Sequence, residues 1–189
     1  MAQTEQKNQN VKKQFEELQS LLERAMALQT SMVLFEWDDE TLAPKGAAEH
    51  TARVIGSLSE QYQEILASMR FKELLDACQK AEKENAGVFD EVQSAILREA
   101  AEEQERLSCI PPEEYRAYAE LTARATGIWT RAREKNDFAS FAPVLKEIIS
   151  YQKKFAAYRA KPGQKLYDVM LDTYEKGFNM EMLDPFFEL

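Results

Sequence analysis

Apolar residues recur along this chain at spacings of three and four almost throughout, the period of a helix with one buried face. From about Lys7 to Glu36, the residues Val11, Phe15, Leu18, Leu22 and Ala25 form one such stripe and predict a long first helix. The period breaks over residues 37–46, where Pro44 and Gly46 punctuate the chain, so a loop is expected there. A second helix is expected from about Ala47 to Ser68, with Ala48, Ala52, Ile55, Leu58, Tyr62 and Ile65 facing inward. A short amphipathic piece from Phe71 to about Lys83 runs into Asn85-Ala86-Gly87, a helix stop signal. Phe89, Val92, Ile96 and Ala100 then open a helix that reaches about Leu107.

Pro111-Pro112-Glu113-Glu114 reads as a helix start, because proline and acidic side chains both suit a first turn. The helix it begins carries Tyr115, Tyr118, Thr122, Ala125, Trp129 and Ala132, and Asn136-Asp137 interrupts it. Asp137 or Ser140 caps the next one, with Phe141, Leu145, Ile148 and Phe155 on its apolar face. Pro143 is tolerable if Ser140 is the cap, since the first-turn N–H groups have no intrahelical partner. After a loop at Lys161-Pro162-Gly163, two shorter helices are expected, from Leu166 to Tyr174 and from Asn179 to Leu189. No segment alternates with period two. The expectation is an all-α fold, an antiparallel bundle of long helices joined by short loops, forming a single helical domain over residues 1–189. The weak internal breakpoints are residues 85–87 and 161–163. The chain stops inside an apolar run ending Phe186-Phe187-Glu188-Leu189, which reads as a cut rather than a tapered end.

Composition narrows the function classes. The net charge is −9, from 24 basic and 33 acidic residues, and no Lys/Arg cluster goes beyond short pairs such as Lys12-Lys13 and Lys153-Lys154. A nucleic-acid or anionic-membrane surface needs a basic face, so neither partner is expected. The polar first ten residues lack the apolar core of a signal peptide, and no apolar run is long enough to cross a bilayer. Two cysteines, Cys78 and Cys109, form no CxxC pair and read as small hydrophobes in a reducing, cytoplasmic setting.

Candidate chemistry is sparse. His50 is the sole histidine, so an HExxH zinc site cannot be assembled from these residues, and no GxSxG elbow accompanies it. It is expected on the surface. Asp38, Asp39 and Glu40 form an acidic patch in the expected loop; oxygen ligands of this kind suit a hard cation, yet solvation and helix-start electrostatics are the plainer reading. Neither GxGxxG nor GxxxxGK[ST] is present. The two tryptophans and Tyr115, Tyr118, Tyr151, Tyr158, Tyr167 and Tyr174 are expected mainly in the core, with a peptide or helix groove as the alternative.

Three stretches carry a resemblance. Residues 37–46, WDDETLAPKG, are similar to the WDxxTxMPxG segment of the thermostable carboxypeptidase Taq family of metallopeptidases, with Ala43 where methionine is usual. Trp129, Ala132, Arg133, Asn136-Asp137-Phe138, Phe141, Pro143 and Leu145 resemble that family's tryptophan helix, NDF turn and following helix. Tyr167-Asp168, Leu171-Asp172, Tyr174-Glu175 and Gly177 resemble its YDxLLDxYEPG, with Lys176 in place of proline.

The order and spacing agree from about Phe15 to Leu189. The resemblance implies the N-terminal portion of a helical peptidase that removes single C-terminal residues from peptides with zinc or a similar divalent metal. It also implies that members form homodimers. The family's HExxH helix lies downstream of anything present here, so no catalytic or metal-binding residue carries over. The segment with Trp37, Asp38, Thr41 and Pro44 is expected in a wall of the substrate groove. In that picture peptide is a partner only of the full-length enzyme. The alternative is a helical interaction or dimerisation module, complemented by a separate C-terminal half.

Overall fold

A computed structural model describes residues 2–44 and 46–188, with the side chains of residues 2–5 and 7 left aside. Lys45 and Leu189, which fall in the first motif and at the apolar chain end, lie outside the described residues. Eight helices and no strand occur among the described residues: α1 (Ala2–Thr41), α2 (Ala48–Leu66), α3 (Met69–Glu84), α4 (Glu91–Ser108), α5 (Pro112–Glu134), α6 (Phe138–Arg159), α7 (Leu166–Tyr174) and α8 (Met180–Phe187). The fold is an all-α helical bundle, as the apolar periodicity requires.

The chain divides into two compact units, Met1–Glu120 and Leu121–Leu189. The boundary falls within α5, at no proline or glycine, whereas the sequence punctuates the chain at 85–87 and 161–163.

In the first unit, α1 and α2 run antiparallel: Met32 meets Ser59 across them, and Glu17 meets Arg70 at the start of α3. The core is filled by Phe15 and Leu18 from α1, Leu66 from α2, Phe71, Leu74 and Cys78 from α3, and Leu97 and Leu107 from α4. Phe89 packs its ring 5.1 Å from that of Phe15. Ser68 caps α3 by accepting from the Phe71 N–H. Asp90 caps α4 in a reciprocal box with Gln93, at 2.8 and 3.0 Å, which makes Asp90 rather than Phe89 the start of that helix. Val92, expected on its apolar face, is exposed, and Leu97 is buried instead.

A buried glutamine ties α2 to the end of α4. Gln63 has no exposed surface, and its Nε2 donates to the carbonyls of Leu107 and Ile110 at 3.1 and 2.7 Å. Arg116 on α5 reaches Glu60 on α2 at 2.9 Å and Glu120 one turn along at 3.0 Å. Gly56 is buried where these helices meet, and a Cβ there would collide with the Glu120 side chain.

In the second unit, α5 ends in a two-bond closure: the Asp137 N–H donates to Ala132 O at 2.8 Å and the Asn136 N–H to Arg133 O at 3.1 Å. Asn136 supplies the left-handed residue this closure needs, at φ 52°. Asp137 then caps α6 by accepting from the Ser140 N–H. Ser140 is therefore not the cap, and Pro143 sits inside the helix, one turn beyond the region where a missing N–H is harmless. The apolar centre here is small, with Leu121, Ala125, Ala132, Phe155, Ala156 and Val169 buried.

Several aromatics expected in the core are exposed: Trp37, Trp129, Tyr158, Tyr167 and Tyr174. Of those in the second unit, Trp129 lies beneath the Arg133 guanidinium and Tyr158 beside Lys154, while Tyr167 and Tyr174 are more open.

Candidate functional site

The segment expected to be a loop after the first helix is mostly helix. α1 continues to Thr41, because nothing between Glu36 and Thr41 breaks a helix and the first breaker is Pro44. The apolar period fades there for a different reason. Val33, Leu34, Phe35 and Trp37 are exposed, so nothing in this chain selects one buried face.

Within this helix end, Thr41 Oγ1 donates to the Trp37 carbonyl at 2.6 Å. The Asp38 carbonyl accepts from the N–H groups of Leu42 and Ala43, at 2.9 and 2.8 Å, closing the helix. Pro44 lies in the following turn, where its carbonyl accepts from the Ala47 N–H at 2.8 Å and leads into α2. Trp37, Asp38, Thr41 and Pro44 are thus brought together by one helix end and one turn, and all four are exposed.

Asp38, Asp39 and Glu40 sit at a helix C-terminus, not at a helix start. That end of a helix is negative, and the last turn of α1 carries no basic residue. The carboxyl of Glu36, one turn back, is held above the usual carboxylate range by partial burial and by the charge of Glu40.

Among the described residues, no group of three or more His, Cys, Asp and Glu side chains is arranged to hold a metal ion. His50 is exposed on the first turn of α2. Cys78 is buried, its thiol pushed up to about 11 by desolvation, and Cys109 is partly exposed; neither forms a disulfide. No described helix is long and apolar enough to cross a membrane.

The other two motif stretches are occupied with holding the backbone. Asn136 and Asp137 close α5 and open α6. Asp172 Oδ1 accepts from the Gly177 N–H at 2.8 Å, where Gly177 takes φ +80°, and Asp168 Oδ1 accepts from the Met180 N–H at 2.9 Å. The two aspartates, one turn apart on α7, pin the turn into α8, and Asn179 caps that helix. Sequence reading did not foresee the roles of Asp168 and Asp172, although their four-residue spacing ahead of a glycine was the available signal.

Comparison with known proteins places these features. The family profile described as Carboxypeptidase Taq (M32) metallopeptidase matches residues 17–189. Carboxypeptidase 1 of Bacillus subtilis is 34% identical over 167 residues, covering 88% of this chain and 32% of that protein. Thermostable carboxypeptidase 1 of Thermus thermophilus is 30% identical over 180 residues, covering 89% of this chain and 35% of that one. The crystal structure of BsuCP superimposes with a TM-score of 0.87 at 32% identity, over 93% of this chain and 34% of that one. The structure of Pyrococcus furiosus carboxypeptidase gives a TM-score of 0.71 at 28% identity, with the same coverage. The chain spans about a third of the length of the relatives it matches.

Proposed function

Because the chain belongs to the carboxypeptidase Taq (M32) metallopeptidase family, we propose that it forms the N-terminal helical portion of a metal-dependent carboxypeptidase and is not catalytic alone. The family's chemistry calls for a metal, and the residues present do not fit one: one exposed histidine and no convergent ligand set among the described residues. No hydrolytic step is assigned to this chain.

Its contribution is a wall of the groove that receives a peptide C-terminus, made by Trp37, Asp38, Thr41 and Pro44. One contrast carries this reading. In the second and third motifs the aspartates Asp137, Asp168 and Asp172 each accept a backbone hydrogen bond. In the first, only the Thr41 side chain bonds to the backbone, and the side chains of Trp37 and Asp38 stand exposed without a hydrogen-bond or ionic partner among the described residues. A ring with an apolar face beside a free carboxylate suits contact with peptide.

The test is Trp37→Ala in an enzyme that joins this chain to the remaining part of a relative. A raised KM for peptide with unchanged stability is expected. If turnover and stability both stay as they were, the groove-wall role fails. The 189-residue chain supplied with zinc should hydrolyse no peptide, and hydrolysis would overturn the non-catalytic assignment.

A second reading is an interaction module, favoured by the exposed Tyr174, Phe186 and Phe187 of the second unit. It has the chain self-associate as a homodimer or accept a separately made C-terminal half. A stable dimer in light scattering supports it, and a monomer removes the homodimer. The two free thiols fit a reducing compartment, and the proposed location is the cytoplasm.

A further inference from the structure

Around the axis of α1, Met26, Val33 and Trp37 stand at i, i+7 and i+11, on one strip of the helix surface, with Leu34 beside them. All four are largely bare, at 63, 56, 58 and 61% exposure respectively. This strip is separate from the face that packs inward. Leu28 and Met32 turn to the core, and Ser59 Oγ of α2 donates to the Met32 sulfur at 3.0 Å. Earlier in the same helix, Val11, Phe15, Leu18 and Ala25 are buried. From residue 26 onward α1 is covered on one side only.

We propose, resting on the function assigned above, that the Met26, Val33 and Leu34 face is the seat of the additional chain that longer family members carry. Its occupant is an apolar helix that brings a lysine or arginine to the C-terminal end of α1. Three observations fix that occupant. The fold of this chain is kept in BsuCP, of which it spans 34%, so a face left bare here is available to the rest of such a protein. Val33, Leu34 and Trp37, exposed together toward the C-terminal end of α1 with Met26 two turns before them, offer apolar surface of the kind an amphipathic helix covers. The strip also runs into Glu36, Asp38, Asp39 and Glu40 at the negative end of the helix, with no basic residue in the last turn.

Burial and the charge of Glu40 already disfavour the ionised form of Glu36, and a cation brought there relieves both the carboxylates and the helix end. Residues 1–120 hold 24 acidic side chains against 13 basic ones, so an acidic occupant would be repelled. The seat ends at Trp37, where the groove opens.

Val33→Cys, made with Cys109→Ser, places a thiol on the strip, and its reaction with a maleimide reports whether the strip is covered; Cys78 is buried and stays silent. Lys80→Cys on the exposed side of α3 is the control. Each is compared in the 189-residue chain and in a fusion that continues into the unmatched part of Bacillus subtilis carboxypeptidase 1, with labelled sites identified by peptide mapping. The expected result is labelling at position 33 at least about tenfold slower in the fusion, with position 80 unchanged. Equal rates at position 33 in a fusion that melts cooperatively overturn the seat.

Peptidase activity of the fusion separates the two proposals. An active fusion with position 33 open keeps the functional reading and removes the seat, whereas an inactive fusion with position 33 protected does the reverse. Should the fusion fail to fold, an amphipathic Leu/Lys peptide and its Leu/Glu counterpart are added to the 189-residue chain. Protection of position 33 by the lysine peptide alone supports the occupant, and equal protection or none overturns it.

Discussion

Replacing Gln63 by glutamate changes one NH2 group to an oxygen and tests the joint between α2 and the end of α4. The amide nitrogen of Gln63 faces two carbonyls, Leu107 O at 3.1 Å and Ile110 O at 2.7 Å, while Oε1 has no partner. Leu107 O also accepts from the Ile110 N–H at 3.1 Å, so Ile110 O is the acceptor that depends more on the side chain. An ionised carboxylate offers no donor and sets negative charge against two carbonyl dipoles in a site with no solvent access. The cost at neutral pH should exceed about 3 kcal/mol, the scale for an uncompensated buried charge. The protonated acid recovers one donated bond, so its cost should fall to roughly 1 kcal/mol.

The sign follows from linkage. The carboxyl at position 63 has a folded pKa raised above its unfolded value of about 4.3, so the loss relative to wild type is small below that pH. It grows by up to about 1.4 kcal/mol per pH unit until the folded pKa is passed. Gln63→Met is the control, since it loses the same bonds but also removes the orphan oxygen; a pH-independent cost of about 1–2 kcal/mol is expected. Urea unfolding followed by circular dichroism from about pH 4.5 to about pH 8, a window that starts near the unfolded glutamate pKa, measures all three proteins. A pH-independent loss for Gln63→Glu would refute the assignment of Nε2 as donor to buried carbonyls.

Asp90→Ala removes the half of the α4 capping box in which the carboxylate accepts from the Gln93 N–H, leaving the backbone N–H of residue 90 to donate to Gln93, and should lower stability by about 1 kcal/mol in the same urea titration, whereas Glu91→Ala should change little. Glu36→Gln should stabilise the chain at neutral pH and have no effect below the pKa of an unfolded glutamate, because a raised folded pKa costs stability only where the group ionises. Its size should stay under about 1 kcal/mol, since Glu36 is largely solvated. Asp172→Ala should speed hydrogen exchange of the Gly177 amide by about tenfold or more while leaving α1–α4 protected, and equal exchange would mean the 2.8 Å bond contributes nothing.

The fold class was readable because the helices of the first unit bury one face each. Phe15 and Leu18, then Ile55 and Tyr62, repeat at helical spacing and are buried. Reading failed where burial no longer selects a face. Residues 37–41 fall where the apolar period is lost and read as a loop, although they lack any residue that breaks a helix. The cap of α6 was open between Asp137 and Ser140, and only the turn geometry of Asn136 decides it. Trp37, Asp38, Thr41 and Pro44 were legible as a motif, but not as a helix end with two side chains left unused. The joint made by Gln63 had no sequence signal at all, since a glutamine on a helix between Tyr62 and Glu64 looks like part of a wet face.

The bare strip on α1 also bears on how such a protein is made. Where this helix leads a longer chain, it leaves the ribosome early, and synthesis at roughly 5–20 residues per second keeps its cover absent for tens of seconds. During that interval Val33, Leu34, Phe35 and Trp37 form a short apolar run open to any other nascent chain. Glu36, Asp38, Asp39 and Glu40 interrupt and flank it, and charges so placed keep an apolar segment from associating prematurely. The carboxylates that call for a cation in the finished fold are thus the ones that guard the apolar run beforehand.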